Sequence, residues 1–217
     1  MARTRSWPGV LLAALGGCSS AGLPEGSGRG LVSWDRTAPE GLESFDRPQL
    51  AVGDRFVFRR GGISRLSLTV TAADEDGYVL TDDASRALTR YTLDLGEIGE
   101  EFPGDPQNIR RQEPADALCH WPLWVGKRWS CHFLRKAPGA EPLPLLATYA
   151  CEAEEDIEVP GGTFRCLRIW RHVRVAATGR FLERASVMWY APEVGFFVRR
   201  LENGTLLELE EVHRQRR

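Results

Sequence analysis

Past about residue 46 the chain alternates between apolar and polar positions. In Arg65-Leu66-Ser67-Leu68-Thr69-Val70-Thr71 every second residue is apolar, the period of a strand with one face buried. Runs of this kind are separated by Gly61-Gly62, Asp76-Gly77, Pro160-Gly161-Gly162 and Asn203-Gly204, pairs and triplets that punctuate β structure as turns. The sharpest signal is C-terminal, where Asn203-Gly204 joins two strand-like runs. Asn-Gly supplies the two positive φ angles of a type I′ turn. In that register Arg199 faces Glu208 and Leu201 faces Leu206, both favourable cross-strand pairs. A second hairpin is centred on Pro160-Gly161-Gly162. With Gly161-Gly162 as its turn, Val159 opposes Phe164, Ile157 opposes Cys166 and Ala153 opposes Trp170. The other face pairs Glu158 with Arg165 and Glu152 with Arg171, the half-buried pattern. Pro106–Leu118 is the one stretch that reads as a short helix.

One block occurs twice. Leu50-Ala51-Val52-Gly53-Asp54-Arg55-Phe56 matches Leu123-Trp124-Val125-Gly126-Lys127-Arg128-Trp129. Each turns at a glycine after an apolar pair and opens a strand with arginine and an aromatic. The expected fold is all-β, an antiparallel curved sheet or partly open barrel or sandwich. It occupies residues 47–217 in two similar halves, 47–118 and 119–217.

Ahead of the domain the pattern changes. A basic start, Met1-Ala2-Arg3-Thr4-Arg5, leads into the apolar run 10–15 and then Gly16-Gly17-Cys18. Basic, apolar and small-residue regions in that order mark a secretory signal over residues 1–17. The run is far shorter than the ~20 residues of a membrane-spanning helix. Leu15-Gly16-Gly17-Cys18 resembles the lipobox of bacterial lipoproteins, with Gly16 where Ala or Ser is commoner. That resemblance implies cleavage before Cys18, acylation of Cys18 and anchoring in the cell envelope. Ser19, where an Asp would direct inner-membrane retention, is similar to the outer-membrane pattern of Gram-negative lipoproteins. Residues 18–46 are rich in Ser, Gly and Pro and read as a flexible tether, in which Trp34 and Phe45 are the aromatics suited to dock on the domain.

A second resemblance covers residues ~120–200. The segments 125–129, 159–164 and 189–195, the last reading Trp-Tyr-Ala-Pro-Glu-Val-Gly, are similar to those of uncharacterised secreted bacterial all-β domains. These motifs are turns and strand starts, and they carry no catalytic residue to transfer.

Composition narrows the function further. A formal charge of −2, made more negative when Arg3 and Arg5 leave with the leader, argues against nucleic acid or an anionic lipid surface as partner. The hydrophobic fraction of 42% and seven Trp suit a packed core. Cys119, Cys131, Cys151 and Cys166 follow the lipobox cysteine, and an even number in an exported protein favours disulfides, with three connectivities open. In the hairpin register above, Cys166 lies roughly 20 Å along the strand from Cys151, beyond the ~7 Å that a bridge spans. This disfavours Cys151–Cys166 and its complement Cys119–Cys131. Of the two connectivities left, Cys131–Cys151 with Cys119–Cys166 is preferred, because Cys131 and Cys151 are equidistant from Glu141 in the intervening loop.

Catalytic and metal chemistry finds little footing. Cys119-His120 and Cys131-His132 match no common zinc spacing, and neighbours on a strand point to opposite faces. No metal or cofactor is expected. There is no Gly-x-Ser-x-Gly elbow, and His120, His132, His172 and His213 lack a partner at catalytic spacing. Glu152, Glu154, Asp156 and Glu158 recur at period two and read as a solvated, ion-paired face rather than a carboxylate pair. Trp121, Trp124 and Trp129 are candidates for lining a sugar or lipid groove, although core packing accounts for them more simply. The expectation is a lipid-anchored envelope protein with a non-enzymatic binding or scaffolding role. Its partners would be the membrane, through the anchor, and another envelope protein. A carrier or sensor of a small apolar ligand inside the β domain is the alternative, and a hydrolase comes last.

Overall fold

The computed structural model describes residues 31–32, 37–182 and 186–215. The leader, Cys18 and Trp34 lie outside the described residues. The strands are β1 (Leu31–Val32), β2 (Arg55–Arg60), β3 (Ser64–Ala73), β4 (Tyr78–Asp82), β5 (Leu88–Tyr91), β6 (Glu97–Phe102) and β7 (Asp105–Asp116). They continue as β8 (Arg128–Lys136), β9 (Leu143–Val159), β10 (Gly162–Val175), β11 (Ser186–Ala191), β12 (Phe196–Glu202) and β13 (Thr205–His213). From β2 to β13 each strand pairs antiparallel with the next, and β13 pairs back onto β2. The curvature expected from the sequence is therefore carried through to a closed up-and-down barrel. Closure removes the sheet edges that an open sheet would expose. The short β1 lies against β8, with Leu31 opposite Cys131.

The repeated block proves to be one device used twice. Gly53 and Gly126 both adopt positive φ, 90° and 98°, which glycine reaches without steric cost. In each copy the residue after the glycine closes a turn, Asp54 N–H to the Ala51 carbonyl at 3.0 Å and Lys127 N–H to the Trp124 carbonyl at 3.2 Å. Each glycine N–H then donates to the neighbouring strand, Gly53 to Val70 at 2.8 Å and Gly126 to Cys151 at 2.7 Å. The device opens β2 and β8, so each half of the ring starts alike and contributes six strands. The residue after each glycine is charged and fully buried. Asp54 accepts from the N–H groups of Ala51 and Gln215 and pairs with Arg214. Lys127 donates to the Pro122 carbonyl and lies 4.1 Å from the Trp124 ring.

The C-terminal hairpin has the expected register, Arg199 opposite Glu208 and Leu201 opposite Leu206, around Asn203 and Gly204 at φ 50° and 81°. Two expectations are corrected. The β9–β10 turn is Pro160-Gly161 rather than Gly161-Gly162, so Gly162 faces Val159 and Cys166 faces Glu155. Pro160 thus sits in the turn, where its missing N–H costs no ladder bond, and Gly161 N–H bonds the Leu209 carbonyl at 2.9 Å. A bulge between Arg168 and Ile169 then shifts the register by one. The stretch read as a helix, 106–118, lies mostly in β7, whose Arg110 and Arg111 oppose Glu100 and Gly99. Pairing with β6 across the tight Pro103-Gly104 turn, and with β8 on the other side, outweighs a weak local helix preference.

The disulfide expectation is also corrected. All four cysteines are buried free thiols. Cys131 faces Ala147, four residues short of Cys151 and about 13 Å from it along the strand. Cys166 lies on the outer face beside Glu155, its thiol donating to the Phe164 carbonyl. Cys119 is buried in the segment before β8, where Cys151 and not Cys166 is its electrostatic neighbour. At the end of the tether, Phe45 pairs with Leu123 in an isolated bridge and packs on the core.

Candidate binding site in the barrel lumen

The inward face of the ring is apolar at one end and ionisable at its middle. The end at which β2 begins is plugged by residues such as Tyr78, Leu95, Leu118 and Leu123, all buried. Trp121 packs edge-on to Tyr190 at 5.1 Å and donates its indole N–H to the Asp94 carbonyl. Above this plug lies a layer of buried charge. Asp116, at the end of β7, accepts from Arg171 of β10 at 2.5 Å, from the Tyr149 hydroxyl and from the Cys131 thiol at 3.5 Å. Both members of the pair are almost wholly buried, with side-chain exposures of 6% for Arg171 and 3% for Asp116. Arg171 also lies 3.8 Å from Glu202. Trp129 stacks on Tyr149 at 5.1 Å and donates to the Ala117 carbonyl, fixing the Tyr149 ring. Burial, with the Asp116 charge beside it, pushes the Cys131 thiol up to about 12. It stays protonated and is no nucleophile at neutral pH.

Arg200 of β12 forms the second half of this layer. It donates to Glu202 at 2.9 Å, acts electrostatically on the Tyr91 phenol, and its guanidinium lies 5.6 Å from the Phe197 ring. Glu97 of β6 accepts from the Gln112 amide at 3.1 Å. Burial raises the Glu97 carboxyl above its ordinary value, against the pull of Arg200 and with the push of Asp116 and Glu202. A carboxyl raised in the folded state contributes stability that is complete below its unfolded value and is lost as pH rises through the folded one. Glu97→Gln should therefore gain stability relative to wild type as pH rises from about 4.5. Urea midpoints measured across that range check this, and parallel profiles for the two proteins would overturn it.

Beyond this layer the lumen opens as a cavity of about 810 Å³. Phe58, Leu66, Leu68, Phe196 and Leu207 supply apolar wall, while Tyr91, Glu97, Arg200 and Glu202 supply a polar patch. Arg60, Arg110, Ser85 and Asn203 also line it. The wall follows from strand alternation, since Phe56 and Phe58 of β2 pair with Leu68 and Leu66 of β3. The volume lies within the range of small-molecule sites, and the lining mixes these apolar side chains with charged ones.

The residues singled out in the sequence lie elsewhere. Trp124 is buried beneath Lys127, Trp121 is in the plug and Trp129 packs on Tyr149. Each anchors a different part of the fold, and they do not come together in one groove. The acids at 152, 154, 156 and 158 are exposed, and Arg165 pairs with Glu154 at 2.5 Å. His172 stacks on Trp170 along the outer wall, 6.0 Å between rings. Sequence reasoning missed Asp116, Arg171, Arg200 and Glu97. One signal was available for Arg171, which occupies an inward position of β10 between the buried apolar residues Ile169 and Val173.

Comparison with known proteins adds the following. No curated protein matches the sequence. Among solved structures, the fold is similar to the hypothetical lipoprotein YmcC from Escherichia coli (K12). That similarity has 11% identity and TM-score 0.49, covering 73% of this chain and 83% of that one. A candidate exported protein of YmcC-like fold from Bacteroides fragilis NCTC 9343 is similar at 13% identity and TM-score 0.42, covering 79% and 100%. A candidate lipoprotein from Parabacteroides distasonis ATCC 8503 is similar at 12% identity and TM-score 0.41, covering 78% and 99%. In sequence, residues 150–203, which run from within β9 to the turn after β12, match the DUF3108-like family model.

Proposed function

We propose that the protein is exported, held in the cell envelope by a lipid on Cys18, and acts by binding a small apolar-bodied ligand in its barrel lumen. The anchor rests on Leu15-Gly16-Gly17-Cys18, and Ser19 favours the outer membrane of a Gram-negative bacterium. The observation that carries the binding role is the lumen cavity of about 810 Å³, walled by Phe58, Leu66, Leu68, Phe196 and Leu207. The buried ionisable groups are matched to one another rather than to a reacting centre. Asp116 meets Arg171 and Glu202 meets Arg200, and Cys131 is held as a thiol. A carrier or sensor needs nothing more. Docking of another envelope protein is the second reading, favoured by the shallow hollow outside β8–β10, where Trp170 and His172 present stacked rings.

One protein serves to test both parts. The full chain with Cys18→Ser should lose incorporation of labelled fatty acid and leave the membrane fraction. Purified without detergent, it should still bind an apolar fluorescent probe at one saturable site. Retained labelling would overturn the anchor, and failure to bind the probe would overturn the lumen reading.

A further inference from the structure

The end of the barrel at which the lumen opens is also the end from which the chain enters it. Arg60, Asp82, Phe102 and Glu202, the last residues of β2, β4, β6 and β12, all line the cavity. In an up-and-down ring β8 and β10 stop at this mouth as well. β1 runs antiparallel to β8, with Leu31 opposite Cys131 and Val32 opposite Ser130. It therefore heads from the mouth toward the plug, and the backbone enters Leu31 from the mouth side. From Cys131 to Lys136, where β8 ends, is roughly 17 Å along the strand. Residues 19–30 separate Cys18 from β1, and a chain of that length spans at most about 45 Å. A lipid on Cys18 thus reaches past the mouth with no reversal of the chain, whereas reaching past the plug requires one.

The rim of the mouth holds apolar side chains in water. Ile63, in the β2–β3 turn, is 96% exposed. Phe181, bridged to Arg174 near the end of β10, is 66% exposed, and Leu201 of β12 is 37% exposed. Leu201 faces Leu206, whose carbonyl accepts from the Gly61 N–H at 2.8 Å. The β2–β3 and β12–β13 turns therefore lie side by side, and they put Ile63, Leu201 and Leu206 on one stretch of rim. Arg60 and Arg180, both exposed, border these tips and form no ion pair among the described residues. Long basic side chains suit such a border, because their stems follow an apolar surface while the charge stays in water. Leu42 and Val52 are the exposed large apolar residues of the plug end, so a test has to compare the two ends.

We propose that the barrel sits mouth-down on the lipid bilayer, with Ile63, Leu201 and Phe181 entering the headgroup region and the lumen opening onto the membrane. The formal charge of −2 gives no electrostatic pull toward anionic lipid, so the contact is apolar and forms on neutral lipid. A ligand of the lumen would then pass between bilayer and cavity without crossing water. The orientation rests on the anchor at Cys18, and the test reads the two separately. The full chain, expressed with its leader and purified from membranes, is reconstituted into phosphatidylcholine vesicles that carry a nitroxide on some headgroups. A fluorophore is attached at the mouth through Ser64→Cys or Ala177→Cys, or at the plug end through Glu158→Cys, all exposed positions. The native thiols at 119, 131, 151 and 166 are buried and escape labelling. Flotation with the vesicles reads the anchor, and nitroxide quenching reads the orientation. Quenching at 64 and 177 should exceed that at 158 at least about threefold, given that interfacial side chains enter only about 5–10 Å. Ile63→Asp combined with Phe181→Asp should remove most of this difference while the protein still floats. Protein that fails to float overturns the anchor, and the orientation with it. Floating protein that is quenched equally at the three positions, or most at 158, overturns the orientation and leaves the anchor standing. A difference that survives the double variant overturns the apolar contact.

Discussion

Asp116→Ala is expected to lower the stability of the protein by about 3–5 kcal/mol, the usual effect of removing one partner from a buried ion pair. Arg171 would keep its charge with a side chain only 6% exposed, with Glu202 at 3.8 Å in place of the 2.5 Å contact to Asp116. The Tyr149 hydroxyl would lose its acceptor as well. Urea denaturation provides the measurement, with a large drop in midpoint at unchanged slope. Replacing both partners, Asp116→Leu with Arg171→Met, should recover most of the loss, because the stranded charge is then gone. A single variant that cost less than about 1 kcal/mol would show that the layer is more open to water than the packing indicates.

Phe196→Ala should be comparably destabilising, again by about 3–5 kcal/mol. Phe196 stacks on Phe56 at 4.7 Å and meets Tyr91 edge-on at 6.2 Å, so it links β12 to β2 and β5 across the lumen. The rings it leaves behind are held on separate strands of a closed ring and have little room to collapse. Thermal or urea unfolding checks this. A loss below about 1 kcal/mol would mean that the wall relaxes to fill the space. The variant also widens the cavity, so probe affinity should change together with stability.

How much of this was legible beforehand depends on the range of the interaction. The Asn203-Gly204 turn sets its register locally, and both Arg199–Glu208 and Leu201–Leu206 followed from it. The 50–56 and 123–129 blocks are likewise local devices, visible as a repeat. The β9–β10 register slipped by two because Pro160-Gly161-Gly162 allows two turns, and the choice falls to a contact between Gly161 and Leu209, 48 residues further on. The same reason hid the lumen. Asp116, Arg171 and Arg200 are far apart in sequence, and a single charged residue in an alternating strand looks no different from one at a register slip. Nor did cysteine count disclose pairing, since Cys131 and Cys151 are symmetric about a loop but four rungs apart in the ladder.

The way the ring closes has a consequence for how the chain reaches this state. Every seam but one joins strands that follow each other in sequence, and the last joins β2 to β13, the first and final strands of the barrel. Eleven hairpin-like steps can form with short loops, whereas the twelfth must wait for residues 205–213. Until then β2 and β12 are open edges, able to pair with other chains. The barrel therefore stays unfinished, whatever else of the chain has formed, until β13 is free to pair with β2.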